Sequence, residues 1–148
     1  MFCKKTPNCI NVWLDIRNMQ SVAKKTIVRT RSEKNNPEII NDVCNIIIKN
    51  FAPKKIVLFG SYAYGKASQH SDIDLLVLVD ENSSLARLIK RDRYGEILKL
   101  FLDSRLGIDA IVLTTTELQT IIDENEGEWD LILEILEEGK TLYEYHAD

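Results

Sequence analysis

Two aspartates one residue apart open a strongly apolar stretch, Ser71-Asp72-Ile73-Asp74-Leu75-Leu76-Val77-Leu78-Val79. Alternate residues of a strand project from the same face, so Asp72 and Asp74 point together. Like charges held side by side at the edge of an apolar sheet repel unless something positive lies between them. A divalent cation carrying phosphates meets that need. Just upstream, Ile56-Val57-Leu58-Phe59 reads as a short buried strand stopped by Gly60-Ser61, within Gly60-Ser61-Tyr62-Ala63-Tyr64-Gly65. A tight turn whose Ser61 amide is free can bond a phosphate oxygen, as other short anion-binding loops do. This chemistry is that of a nucleotide-handling enzyme.

The elements that must position these groups are legible from residue 36 onward. Asn36 can cap a helix with Pro37 in its first turn, and Ile39, Ile40, Val43, Ile46, Ile47 and Phe51 follow at helical spacing until Ala52-Pro53 ends it. Residues 61–71 form a polar, glycine-containing loop with room for one helical turn. Asp74 to Val79 is apolar on both alternating faces and therefore central in its sheet. Ser83 or Ser84 is expected to cap a long helix through Leu85, Leu88, Ile89, Ile97, Leu98, Phe101 and Leu102, with Gly95 as a point of breakage. Ile108 to Leu113 is a third strand. Thr115 or Thr116 begins a further helix through Ile122, and a last helix runs from about Glu128 to Glu138, ending at Gly139. Ile121, Ile122, Leu131, Ile132, Ile135 and Leu136 should face inward. The order helix, strand, strand, helix, strand, helix, helix describes one α/β (α+β) domain over residues 36–148: a small mixed sheet with helices packed on it. Residues 1–35 form a basic arm in which Val12, Trp13, Ile16 and Met19 are spaced as one face of a short helix.

That order makes a geometric claim. Gly60-Ser61 closes the first strand while Asp72 and Asp74 open the second, so these ends meet if the two strands run antiparallel. The second and third strands are joined by a helix, the connection that parallel neighbours use. Asp109 should therefore lie beside Asp74. It interrupts Gly107-Ile108-Asp109-Ala110-Ile111-Val112-Leu113, and an unpaired carboxylate buried there would cost several kcal/mol. A metal site supplies its partner; the competing readings are a salt bridge to lysine or arginine, or an exposed edge. Tyr62 and Tyr64 suit stacking on substrate and burial at the sheet rim equally well. His70 and His146 have no partner at useful spacing and are expected in solvent.

Composition narrows the class. A chain of 148 residues with 45% hydrophobic content can build one core, and a net charge of −4 argues against a general nucleic-acid binder. Cys3, Cys9 and Cys44 are an odd set without paired spacing, which predicts free thiols in a reducing cytoplasm rather than zinc or disulfides. No run of ~18 apolar residues predicts a membrane span, and the N-terminus lacks the apolar core of a signal peptide.

Gly60-Ser61, Gly65, Ser71-Asp72-Ile73-Asp74 and Asp109 resemble the signature of the DNA polymerase β-like nucleotidyltransferase superfamily. The ending Glu137-Glu138-Gly139-Lys140-Thr141-Leu142-Tyr143 is similar to that of its minimal, MNT-type antitoxin branch. The resemblance covers roughly residues 37–145. It implies a nucleotidyltransferase fold in which Asp72, Asp74 and Asp109 are catalytic and metal-binding. Asp72 and Asp74 hold two Mg²⁺ ions, and Asp109 binds one of them and helps deprotonate the attacking hydroxyl. It assigns Gly60 and Ser61 to the β and γ phosphates of ATP. Many minimal members carry arginine where this chain has Tyr64, so one cation near the phosphates or the partner is replaced by a neutral hydroxyl.

The function so implied is transfer of AMP from ATP to a tyrosine hydroxyl on a cognate helical HEPN-type ribonuclease toxin, in the cytoplasm, with neither membrane nor direct nucleic-acid contact. Two alternatives stand beside it. One is nucleotidylation of a small molecule of aminoglycoside type, for which 148 residues leave little room. The other is a non-catalytic module that neutralises a partner by binding alone.

Overall fold

A computed structural model describes residues 37–147 apart from 69 and 126. The expected arm over residues 1–35 and the Asn36 cap lie outside the described residues. The elements run α1 (Pro37–Phe51), β1 (Lys55–Phe59), α2 (Gly60–Ala63), β2 (Ile73–Val79), α3 (Lys90–Lys99), β3 (Ile108–Thr114), α4 (Thr115–Glu124), α5 (Leu131–Glu138) and β4 (Lys140–Glu144). The sheet order is β3-β2-β1-β4. β1 and β2 pair antiparallel from Lys55↔Leu78 to Phe59↔Asp74, and β2 and β3 pair parallel from Ile73↔Ile108 to Val79↔Thr114. This is the mixed pairing expected, with β2 an inner strand whose residues 75–79 are all buried.

Side-chain alternation divides the core between the two faces of the sheet. On one face Ile56, Leu58, Ile73, Leu75, Val77, Ile108, Ala110 and Val112 meet Ile39, Val43 and Ile47 of α1 and Ile97 of α3. On the other, Val57, Leu76, Leu78 and Leu113 meet Ile135 of α5, with Leu118 and Ile121 of α4 packed alongside. Helix α1 forms because its apolar residues recur at helical spacing, Ile39, Val43 and Ile47 being completely buried. Glu38 in its first turn and Lys49 in its last both oppose the helix dipole favourably. It stops at Ala52, which lies at φ 44° just ahead of Pro53, before which helical backbone is disfavoured.

Three local expectations are corrected. The helix expected from Ser83 or Ser84 begins only at Lys90: residues 81–88 form turns, Ile89 is extended, and Gly95 lies within an unbroken helix. Helix α4 begins at Thr115, as expected, and its cap is Thr114: the Thr114 hydroxyl accepts from the Glu117 amide while the Glu117 carboxylate accepts from the Thr114 amide, a reciprocal capping box. Helix α5 starts at Leu131, three residues later than expected, since Asp130 accepts from the Ile132 and Leu133 amides. Ile122 and Leu131, expected inside, are both more than two-fifths exposed. Strand β4 was not anticipated: Leu142 is its one fully buried residue, and it forms by adding to the free edge of β1 across a register shift between Ile56 and Val57. Gly139 does end α5, but at φ −69°; a side chain there would strike the Ile135 carbonyl and Val57 Cγ1.

Sequence reading also missed Arg93, which is 5% exposed. Its Nε donates to the Leu88 carbonyl at 3.0 Å and its Nη1 to Glu117 Oε2 at 2.6 Å, tying the turns before α3 to the cap of α4. Burial pushes the Glu117 pKa up, but the Arg93 and Thr114 hydrogen bonds and the Arg93 charge outweigh it, leaving the carboxyl below its ordinary value of 4.5. A lowered acid contributes stability that is complete above the unfolded value and is lost as pH falls through the folded one. Glu117→Ala strands a buried guanidinium and should cost about 3 kcal/mol. Denaturant titrations at pH 7 and below pH 4 should show that cost shrinking in acid, as the wild type loses the same interaction.

Candidate active site

The rim is built where β1 ends and β2 and β3 begin. Phe59 is the Cα partner of Asp74, so the turn that follows Phe59 lies against that carboxylate. Gly60 has φ +68°, and a Cβ there would overlap Asp74 Oδ2. Both facts exclude other residues: the backbone is left-handed and the space is taken. Gly60 then opens the single turn of α2, closed by Tyr64 N–H to the Gly60 carbonyl at 3.3 Å and Lys66 N–H to the Ser61 carbonyl at 2.9 Å. Gly65, also at φ +68°, lets the chain leave the turn. Ser61 is half-buried, directly after the glycine that meets Asp74.

The third strand supplies the other wall. Asp74 and Asp109 are direct Cα partners in the parallel ladder. The Ile73 amide donates to the Gly107 carbonyl at 2.9 Å, which draws the start of β3 beside Asp72. Parity then decides direction: Asp72 and Asp74 share the phase of Leu76 and Leu78, and Asp109 shares that of Ile111 and Leu113. All three carboxylates therefore project from the α4–α5 face of the sheet, beyond the edge of its apolar patch. Sequence reasoning overlooked Gly107, where a Cβ would overlap Asp72 Oδ1. Its signal was a glycine at the mouth of a strand, two residues before an aspartate.

Asp109 is not the buried carboxylate expected: β3 is an edge strand and Asp109 is exposed, as is Asp72, while Asp74 is half-buried. Register, not burial, brings Asp109 to the rim. The electrostatic consequence falls on Asp74, whose pKa is raised above 3.8 by burial first, then by Asp109 and by Asp72. Among the described residues no lysine or arginine forms an ion pair with any of the three.

Tyr62 stands near this charge: burial and then Asp72 raise its hydroxyl above 10.0. Tyr64 faces elsewhere. What burial it has, then Glu138 and Glu134 with a hydrogen bond to Glu138, raise its pKa, which places it between the turn and α5. His70 and His146 are exposed, as expected, with His146 3.9 Å from Glu144. Cys44 is a buried free thiol; Cys3 and Cys9 lie outside the described residues.

Uncompensated carboxylates facing one way, with glycines leaving room beside two of them, form an all-oxygen donor set suited to Mg²⁺. They are not a closed cage: among the described residues no three acidic, histidine or cysteine side chains already stand close enough to hold an ion. An ion would be held by carboxylates drawing in around it, with open positions for phosphate oxygens and water.

A strand pair ending in a glycine-serine turn, with acidic residues opening the neighbouring strands of a mixed sheet, defines a nucleotidyltransferase. The chain belongs to the Polymerase beta nucleotidyltransferase family, whose match spans residues 41–148. A relative from Methanocaldococcus jannaschii, named a putative protein adenylyltransferase, is 32% identical over 97 residues, covering 64% of this chain and 90% of its own. A second from the same organism, with the same descriptive name, is 34% identical over 90 residues, covering 61% of this chain and 78% of its own. Protein adenylyltransferase MntA of Thermococcus cleftensis is 40% identical over 50 residues, covering 34% of this chain and 50% of its own. A crystal structure described as a putative nucleotidyltransferase from Sulfolobus solfataricus superposes with a TM-score of 0.38 at 24% identity, covering 67% of this chain and 79% of that one.

Two outcomes follow from the rim geometry. Because the native state holds the Asp74 proton to higher pH than the unfolded chain does, Asp74 loses stability as pH rises from 3.8 through its raised value. Asp74→Asn in chelator should therefore be more stable at pH 7 by up to about 1 kcal/mol, screened by the water that reaches the site, with the gain gone in acid. Gly60→Ala should lose about 2 kcal/mol in the same denaturant assay, from left-handed strain and from overlap with Asp74.

Proposed function

We propose that this chain is an antitoxin that transfers AMP from ATP to a tyrosine hydroxyl of a helical HEPN-type ribonuclease toxin. The observation that carries the reading is the Asp74↔Asp109 register beside the Gly60 turn, in a chain whose relatives are named protein adenylyltransferases. Each residue has a part. Gly60 allows the backbone to turn tightly enough that the Ser61 amide and hydroxyl face the β and γ phosphates. Asp72 and Asp74 hold the metal-nucleotide against the rim, and Asp109, exposed on its edge strand, takes the proton of the attacking hydroxyl. The tyrosine oxygen bonds to the α-phosphorus as the bond to the β-phosphate oxygen breaks in line, and pyrophosphate leaves. When bound, two Mg²⁺ ions supply charge compensation on the transferred and leaving phosphates and favour ionisation of the attacking hydroxyl. The product tyrosine gains bulk and a negative phosphodiester, either of which opposes RNA binding.

Cytoplasmic ATP fits this role, and no helix among the described residues is long and apolar enough to cross a membrane. The exposed rim also fits a protein hydroxyl, which must approach from outside without being enclosed.

The test is the intact mass of the co-expressed ribonuclease partner. With the wild type it should rise by one or more AMP units. Asp109→Asn should slow transfer at least about 100-fold, the lower range for loss of a general base, and Asp72→Asn with Asp74→Asn should abolish it. Gly107→Ala, whose backbone needs no left-handed φ, should fold within about 0.5 kcal/mol of wild type yet transfer poorly, because its methyl group displaces the Asp72 carboxylate. An unmodified partner that is nonetheless neutralised without ATP and Mg²⁺ would overturn catalysis in favour of binding alone.

A further inference from the structure

The end of α4 and the approach to α5 frame a groove of about 400 Å³ lined by Ile121, Glu124, Asn125, Glu128, Trp129 and Asp130, none of them a rim carboxylate. Trp129 is 75% exposed, the joint most exposed large apolar residue among those described. It is also held in place: its Nε1 donates to Glu134 Oε2 at 2.5 Å. Relative to the Asp130 cap, Trp129 and Glu134 occupy the positions where two apolar residues normally staple a helix start together. Here the polar partner fixes the edge of the indole and leaves its face bare. Leu131, two residues on, and Ile122, near the end of α4, are exposed as well.

The charge around this groove is of one sign. No lysine or arginine occurs between Arg105 and Lys140. Residues 37–148 carry a net −10, whereas the first 36 residues carry Lys4, Lys5, Arg17, Lys24, Lys25, Arg29, Arg31 and Lys34 against Asp15 and Glu33, a net +6 of the chain's total −4. The same segment holds Val12, Trp13, Ile16 and Met19 at the spacing of one helical face. Basic and apolar character thus coincide in one stretch, and acidic and apolar character coincide in the groove. We propose that residues 1–36 dock on the groove of their own chain, with Val12, Trp13, Ile16 and Met19 covering Trp129 and the basic residues meeting Glu124, Glu128 and Asp130.

Reach and charge both favour this occupant. Thirty-six residues span about 54 Å even when fully helical, against a radius of gyration of about 13 Å for a domain of this size, so attachment at Pro37 does not keep the arm from the groove. A second copy would set one acidic groove against another, at a repulsive cost. The tethered arm also competes at a high effective concentration with any separate basic protein.

The full chain carrying Trp13→Phe leaves Trp129 as its reporter. At low salt, acrylamide should quench Trp129 several-fold less than its exposure in the groove would allow, and the protection should vanish in 1 M salt, where screening shortens to about 3 Å. Glu124→Lys with Glu128→Lys, both at exposed positions, should remove the protection at low salt. Independently, carbodiimide coupling of the unaltered chain at low concentration should join arm lysines to Glu124, Glu128 or Asp130 within one molecule. Quenching at full exposure in all conditions, or links spread without preference over the surface, would overturn the proposal. So would protection that grows with protein concentration, which signals a second copy, or protection that appears only when a basic partner is added.

Discussion

Everything at the candidate site depends on how β2 is paired. One strand faces an antiparallel neighbour on one side and a parallel neighbour on the other, so its first residues meet the end of β1 and the beginning of β3 together. Three carboxylates and a glycine turn from segments some 50 residues apart thereby share one rim. That crowding is electrostatically unfavourable by itself, as the raised Asp74 pKa records. It is tolerated because two of the three carboxylates reach solvent and because hydrophobic burial along the rest of β2 stabilises the strand regardless. Stability is held in the lower sheet and repulsion is confined to its rim.

The two glycines beside the carboxylates do different physical work. Gly60 is needed twice over, for its backbone conformation and for the space given to Asp74, whereas Gly107 is needed only for space. Tyr64, the residue that departs from the resemblance to minimal nucleotidyltransferases, leans towards Glu138 and Glu134 of α5 rather than towards the carboxylate rim.

Much of the fold was legible because long-range pairing here follows from local pattern. A short apolar strand at Ile56–Phe59, a longer one from Asp74 to Val79 apolar on both faces and a helical crossover leave few arrangements, and the right-handed parallel crossover prunes the rest. Helix boundaries were less legible because they rest on tertiary partners. The turns before α3 are held by Leu85 in the core and by Arg93 reaching back to the Leu88 carbonyl. Local propensity says nothing of either. Strand β4 has one fully buried residue and no signal of its own; it exists because β1 offers an unpaired edge.

Residue type and spacing by themselves pointed to the family: acidic residues at period two before a buried strand, preceded by a glycine-serine strand end, are the pattern that the nucleotidyltransferase match over residues 41–148 bears out. They also determined that Asp109 would stand beside Asp74, since a helical crossover makes parallel neighbours. The tertiary structure alone decided how. Asp109 is exposed on an edge strand rather than buried, Asp72 lies over Gly107, and the Asp74 carboxylate fills the place a side chain would take at Gly60. Solvent exposure and close approach depend on which strand ends the sheet and which residues lack a Cβ opposite a charge, and no local pattern in the chain encodes either.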